Sequence, residues 1–453
     1  MSTTVTTPSR EASLPEQSEL EALVASALEQ AQRAGASAAE AGAGASQGLS
    51  VSVRRGEVQT LEHMRDRSFS ITVYFGQRKG SASSGDYGRK AIAETVQAAC
   101  DIARYTSEDR YAGLADPELM ARDVPDLDLH HPWALPAEEA IALARECEAA
   151  ALAVDRRLTN SEGADVSSSE GLHVYGNSHG FVGGYAASQH GLSCVVLGEQ
   201  DGAMQRDYWY TSARNPAALE SAAAVGHEAG QRTVRRLGAR RVATAQVPVL
   251  FTPETARTLI GHFIGAISGG ALYRKSSFLL DSLGQPVFPT FVRMREAPHM
   301  LAALGSAPFD SDGVATRDRV LVDNGVLQGY VLSSYSARRL GMQTTGNAGG
   351  VHNLIVEPGD SDFEQLVQRL DRGLIVTHLM GQGANTVTGD YSRGASGFWV
   401  ENGEIVHPVE EVTVAGNLKS MLRDIRAVGR DVDVRGRVRT GSLLVDGMTV
   451  AGE

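Results

Sequence analysis

The sequence predicts an α+β protein, with an N-terminal region of helices and antiparallel strands followed by a β-rich C-terminal region. Three observations carry this. Apolar residues change from helical to alternating spacing near residue 49 and return to helical spacing near residue 88. Glycine occupies 49 of 453 positions, well above an average of about 7%, which favours tight turns. Asn324-Gly325, Asn402-Gly403 and Asp446-Gly447 each sit between alternating apolar runs, the strongest short-range hairpin signal.

The elements follow in order. After a flexible start, assigned to 1–17, Leu20, Leu23, Val24, Ala27, Leu28 and Ala31 recur at helical spacing until Gly35 stops the helix. Residues 49–84 read as three antiparallel strands, with a turn at Arg55-Gly56. Helices are expected at about 88–105 and 137–155, the second with Glu148 facing outward. Residues 159–212 read as a strand meander, and a helix near 216–237 ends in the run Arg235-Arg236…Arg240-Arg241, expected to be a solvated helix end. VPVLF at 247–251 is a buried strand, and Pro253 opens the next helix. Short helices near 361–371 and 416–423 interrupt the later hairpins. This divides the chain into an α+β domain at 18–240 and a β-rich domain at 241–453.

Composition narrows the function. A formal charge of -12 gives a poor footprint for nucleic acid. Cys100, Cys147 and Cys194 are widely spaced and include no CxxC pair, which argues against a zinc ribbon or a disulfide scaffold. The Ser/Thr-rich N-terminal stretch lacks an apolar signal-peptide core, and no apolar run is long enough for a membrane span. A soluble, cytoplasmic protein is the expectation.

Several motifs imitate catalytic ones. GAGASQG at 42–48 resembles a dinucleotide loop, but a helix precedes it and a strand follows, the reverse of what pyrophosphate binding needs. Gly176-Asn177-Ser178-His179-Gly180 spells a nucleophile elbow without the strand–turn–helix context, so it reads as a hairpin turn. His227-Glu228 starts a zinc-protease helix, but the second imidazole position holds Gln231. His262 stands beside Phe263 and Ile264 with no second ligand within five residues, and by itself reads as a packed histidine.

The stretch 259–284 around His262, together with GSASS at 80–84, IARYT at 102–106, VYGNSHG at 174–180, MGQG at 380–383 and TGDYSRGASGFWVENG at 388–403, resembles the TldD/PmbA family. The resemblance runs from about residue 18 onward and is specific to the PmbA (TldE) branch. It implies a β-rich, barrel-like C-terminal domain and a two-subunit metalloprotease. A TldD-type subunit carries H-E-x-x-x-H and a late cysteine around zinc, and a PmbA-type subunit pairs with it. Together they trim leader peptides of modified peptide antibiotics and degrade small unfolded proteins.

Laid on this chain, His262 matches the first zinc ligand, whereas Phe263 holds the glutamate position and Ile267 the second histidine position. No cysteine follows Cys194, and Arg439-Thr440-Gly441-Ser442 stands in the late-ligand region. A catalytic zinc needs about three protein ligands and a base for its water. The expectation is therefore no metal and no catalytic residue in this chain, with zinc in a TldD-type partner. The candidate peptide-binding residues are His262, Asp390, Tyr391, Ser392 and Arg393. Two other readings stay open: a homodimeric peptide-binding module, and a stand-alone peptidase using Ser178/His179 or a site around Asp390, Ser392 and His352.

Overall fold

The protein is described by a computed structural model covering residues 14–452. Most of the flexible segment expected at 1–17 lies outside the described residues. The chain forms two compact units that are not consecutive in sequence. Residues 14–49, 63–114 and 169–188 form the first; residues 50–62, 115–168 and 189–452 form the second.

The N-terminal half runs α1 (Gln17–Arg33), β1 (Ala38–Arg54), β2 (Glu57–Phe75), β3 (Arg78–Ser84), α2 (Arg89–Tyr105), α3 (Ala137–Leu152), β4 (Leu158–Asn177), β5 (Val182–Gln200), β6 (Ala203–Ala213) and α4 (Ala222–Arg236). Both units draw on one strand order, β3-β2-β1-β4-β5-β6. In the first unit, Leu20, Val24 and Ala27 of α1 and Ile92, Val96 and Ala99 of α2 close over Ala39, Ala41 and Ala43 of β1 and Phe69, Ile71 and Val73 of β2.

The structure extends β1 well before residue 49. Its first half contains GAGASQG, which is therefore itself strand and not merely the segment before one that the sequence suggested. Alanine and glycine are weak strand formers, so their alternation reads poorly, yet alternate alanines let two helices approach the sheet. Arg55 and Gly56 both have positive φ, the hairpin geometry expected there.

In the second unit, Glu148 corrects an expectation. It is buried, and its carboxylate accepts the Arg55 and Gly56 amides at 2.7 and 2.8 Å. The carboxylate thus caps the β1–β2 turn from α3. On α4, Gly226 is required by close approach, because a side chain there would stand 2.0 Å from the Cys147 carbonyl oxygen.

The rest of the second unit begins with β7 (Ala245–Phe251), α5 (Pro253–Ala266), α6 (Gly269–Tyr273), β8 (Met294–Glu296), β9 (Arg319–Asp323), β10 (Val326–Leu327) and α7 (Ser334–Leu340). It continues with β11 (Leu354–Val356), α8 (Phe363–Leu370), β12 (Gly373–Met380), β13 (Asp390–Glu401) and β14 (Glu404–Asn417). Last come α9 (Leu418–Arg423), β15 (Ile425–Val428), β16 (Val438–Arg439) and β17 (Leu443–Ala451). β14, β13, β12, β7 and β17 pair in that order, and β14 pairs again with β17 from Thr413↔Ala451 to Ala415↔Thr449. Five strands therefore close into a barrel, as the β-rich C-terminal expectation required. A second sheet has the order β10-β9-β8-β11-β16.

β7 reads as a continuous apolar run because it is buried on both faces: Val249 and Phe251 join the core with α5, whereas Leu250 meets Leu366 and Leu370 of α8. Asn324-Gly325 and Asn402-Gly403 make the expected tight turns, with positive φ at all four residues. Asp446-Gly447 does not. It lies inside β17, where the register against β7 slips between Val445 and Met448. An extra residue is accommodated as a bulge with Gly447 at φ 66°.

Candidate functional site

α5 begins with Pro253 at its first turn and buries Leu259, Ile260, Phe263 and Ala266. Phe263 is fully buried and packs edge-to-face on Phe288, with ring centroids 4.9 Å apart. Ile267 follows the helix, is fully buried in the same core, and donates its amide to the Phe263 carbonyl in an ordinary helical bond. No bulge brings it round toward His262. Positions five apart on a helix diverge by ~140°, so residue 267 points away from a ligand at 262.

His262 sits on a different, half-buried face of α5, beside Gly261 and Gly265. Apart from adjacent residues and the backbone of α5 itself, no atom lies within 4 Å of where a side chain at either glycine would begin, so no other element covers these two positions. Tyr391 approaches from β13, its ring 5.9 Å from the imidazole and steeply inclined to it. Tyr391 is 2% exposed. Strand alternation puts Arg393 on the same side as Tyr391 and turns Asp390 and Ser392 to the exposed side. Asp390 accepts from Thr388 Oγ1 and Asn417 Nδ2, which makes it part of the turn before β13. The Ser392 amide donates to the Gly383 carbonyl at 2.7 Å. Gly383 of the MGQG stretch must lack a side chain, because a Cβ there would stand 1.6 Å from the Ser392 carbonyl oxygen. The structure thus brings together three of the five candidate peptide-binding residues, His262, Tyr391 and Arg393. It separates Asp390 and Ser392 from them.

The electrostatics of this trio are unusual. Burial, and to a lesser degree the Arg393 charge, holds the His262 imidazole below its usual pKa and favours its neutral form. Burial pushes the Tyr391 hydroxyl up to about 12, with Arg393 pulling the other way. His262 Nε2, the Tyr391 hydroxyl and Arg393 Nε are buried and make no hydrogen bond of acceptable geometry. Each such group carries a desolvation cost of roughly 1–3 kcal/mol.

These surroundings do not suit zinc. A dication would face one imidazole, a guanidinium and a phenol, where the chemistry needs about three ligands and a base. All three cysteines are buried at 100, 147 and 194, outside this site. Among the described residues, no group of three or more His, Cys, Asp and Glu side chains is placed to hold a metal.

The residues of the stand-alone peptidase reading do not meet. Ser178 lies in the β4–β5 turn and accepts the Ala39 amide, and His179 beside it is exposed. His352 is half-buried, its amide donating to Glu296, in another part of the barrel-bearing unit, and desolvation holds its imidazole below its usual pKa.

Sequence reasoning missed a second polar cluster. Arg236, expected on a solvated helix end, is largely buried; its guanidinium donates to His378 Nδ1 at 2.8 Å and to Ser396 Oγ at 3.0 Å. His378 must then carry its proton on Nε2, which lies 3.1 Å from Asp207 Oδ1. Burial of Asp207 works against ionisation, but the His378 hydrogen bond and the charges of Arg232 and Arg236 outweigh it and hold the carboxyl below its usual range. Arg232 bridges on to Glu254 at the start of α5, and Arg435 reaches the same carboxylate. The signal was present: Arg232 and Arg236 are spaced i, i+4 on one face of α4.

Residues 244–452 match the PmbA/TldA metallopeptidase C-terminal domain, 130–237 its central domain and 39–103 its domain 1. Metalloprotease PmbA of Escherichia coli O157:H7 is 50% identical over 434 residues, 96% of each chain. A Haemophilus influenzae homologue is 48% identical, covering 96% of this chain and 97% of its own. The chain belongs to the PmbA/TldD metallopeptidase family, in its PmbA (TldE) branch. A solved structure from Bacteroides thetaiotaomicron superposes with TM-score 0.91 at 29% identity, over 96% of this chain and 99% of that one. TldE from Thermococcus kodakarensis shares the fold, with TM-score 0.81 at 19% identity over 95% and 100%.

Proposed function

We propose that this chain is the non-catalytic subunit of a two-component peptidase, completing a chamber around the zinc site of a TldD-type partner and holding extended peptide. The substrates are leader peptides of modified peptide antibiotics and small unfolded proteins, and the compartment is the cytoplasm. Among the described residues, no helix is long and apolar enough to cross a membrane. The working division of the chain is 18–240 and 241–453, with the peptide-holding residues in the second part; the start of the C-terminal family match at 244 supports that boundary.

The observation that carries the reading is the α5 motif. Its first-ligand position keeps an imidazole, but the base and second-ligand positions are fully buried hydrocarbon in the core. A subunit whose role is to complete a chamber should bury roughly 2,000 Å² or more with its partner.

The test is purification alone and with a TldD-type chain, followed by elemental analysis and cleavage of an unfolded peptide. We expect far less than one zinc per chain alone, a stable complex, and cleavage only in the complex. About one tightly held zinc per chain that is lost in His262→Ala, or cleavage by the chain alone, would overturn the reading.

A further inference from the structure

Three buried polar atoms without a hydrogen-bond partner, His262 Nε2, Tyr391 Oη and Arg393 Nε, lie on α5 and β13. Native proteins seldom leave such groups unsatisfied, and a cluster of them calls for an unseen partner. Arg393 Nε and the Tyr391 hydroxyl are donors, and the neutral imidazole donates as well when its proton sits on Nε2.

We propose that His262, Tyr391 and Arg393 form a subsite for a carboxylate, that of the C-terminus of an extended peptide. The inference deepens the peptide-holding part of the proposed function and rests on it. The charge balance favours this ligand. With the imidazole neutral, the trio carries one positive charge, which one carboxylate neutralises; a phosphate dianion would leave buried negative charge, and a metal dication would be repelled by the guanidinium. A guanidinium also matches carboxylate geometry better than any other monoanion-binding side chain. The nearest acid in sequence, Asp390, lies on the exposed side of β13 and is held by Thr388 and Asn417. The approach to His262 is uncrowded, because no other element comes within 4 Å of where a side chain would begin at Gly261 or Gly265. A peptide ending here would reach the subsite along the helix face that bulkier residues would have closed.

The experiment uses the full chain and calorimetry with an N-acetylated heptapeptide of Ala, Gly and Ser in three forms: free acid, C-terminal amide, and an amide ending in Glu. N-acetylalanine and its amide are titrated separately against the His262 imidazole NMR signals, assigned with His262→Gln. The free acid should bind about ten-fold more tightly than either amide, and N-acetylalanine, but not its amide, should shift the imidazole signals. Arg393→Gln should reduce the free acid to the amide's affinity, with part recovered by Arg393→Lys. Tyr391→Phe, which leaves the packing intact, should weaken the acid a few-fold and leave the amide unchanged.

Equal binding of acid and amide overturns the carboxylate subsite while the peptide-holding reading stands. Failure of every peptide with a retained N-acetylalanine shift keeps the subsite and overturns the peptide-holding reading. If the Glu-ending amide matches the free acid, the terminal assignment falls. Silence of all probes overturns the proposal.

Discussion

Two polar clusters in the barrel-bearing unit make an instructive pair. Around Asp207, the Tyr208 amide, His378, Arg232 and Arg236 all turn toward one buried carboxylate. Around His262, by contrast, the imidazole, the Tyr391 hydroxyl and Arg393 Nε gather with no acceptor. The first cluster is closed on itself and ties β6, α4 and β12 together. The second has donors but lacks the group they would serve. Buried polarity of one kind holds a fold, and of the other kind waits for a ligand.

The largest expected effect comes from forcing the family's metal motif onto α5. Phe263→Glu with Ile267→His restores the letters of H-E-x-x-x-H. Truncating a buried Phe typically costs about 3–5 kcal/mol, and an unpaired buried carboxylate costs several more. We expect a severe loss of stability in denaturant titration, no stoichiometric zinc and no peptidase activity. Zinc binding with cleavage of an unfolded peptide would show that the active geometry survives here.

Next comes the closed cluster itself. Asp207→Ala leaves His378, Arg232 and Arg236 facing each other without their counter-charge, at a cost of about 3–5 kcal/mol. A loss below about 1 kcal/mol in urea unfolding would mean that the cluster is not held together by this carboxylate.

The same carboxylate gives a smaller effect through pH. Above an ordinary Asp pKa of about 3.9 both folded and unfolded states are ionised, and the stabilisation is fully present. As pH falls below that value the unfolded chain takes up its proton first. Stability then declines until the folded carboxyl, held lower by its partners, is protonated too. Wild type should therefore lose more stability than Asp207→Asn between neutral pH and pH ~3, and equal slopes would remove the linkage.

The smallest effect distinguishes the two clusters most sharply. Tyr391→Phe deletes a hydroxyl that makes no hydrogen bond of acceptable geometry, so unfolding should move by no more than about 1 kcal/mol, in either direction. A loss above about 2 kcal/mol would mean that the hydroxyl already serves a structural bond.

Much of this was legible before the structure. Helices with a clean apolar stripe and hairpins marked by Asn-Gly stand where the pattern put them, because local preference and packing agree there. The failures share one cause, which is that tertiary context overruled a local signal. Residues 38–48 look too rich in Ala and Gly for a strand until two helices are seen lying on them. Asp446-Gly447 carries hairpin letters, but the segments on both sides of it pair with the same strand, β7. Glu148 and Arg236 look like surface charges because nothing local shows the turn amides or the distant His378 that each one meets.

At the site, period-two alternation along β13 already separates Tyr391 and Arg393 from Asp390 and Ser392. What it could not show is that His262 stands opposite the first pair.

The closed barrel has a kinetic consequence. Phe251 on β7 pairs with Leu443 on β17, which the ribosome makes only after every other strand of the ring. Until then β7 offers a raw apolar edge, and closure must wait for a contact that is remote along the chain. Such pairings form slowly, and their unpaired edges invite association with other chains. The edge of β7 thus stays unpaired while the strands between it and β17 are made, and early capture by a folding helper should matter more for this chain than for a protein whose strands pair as they emerge.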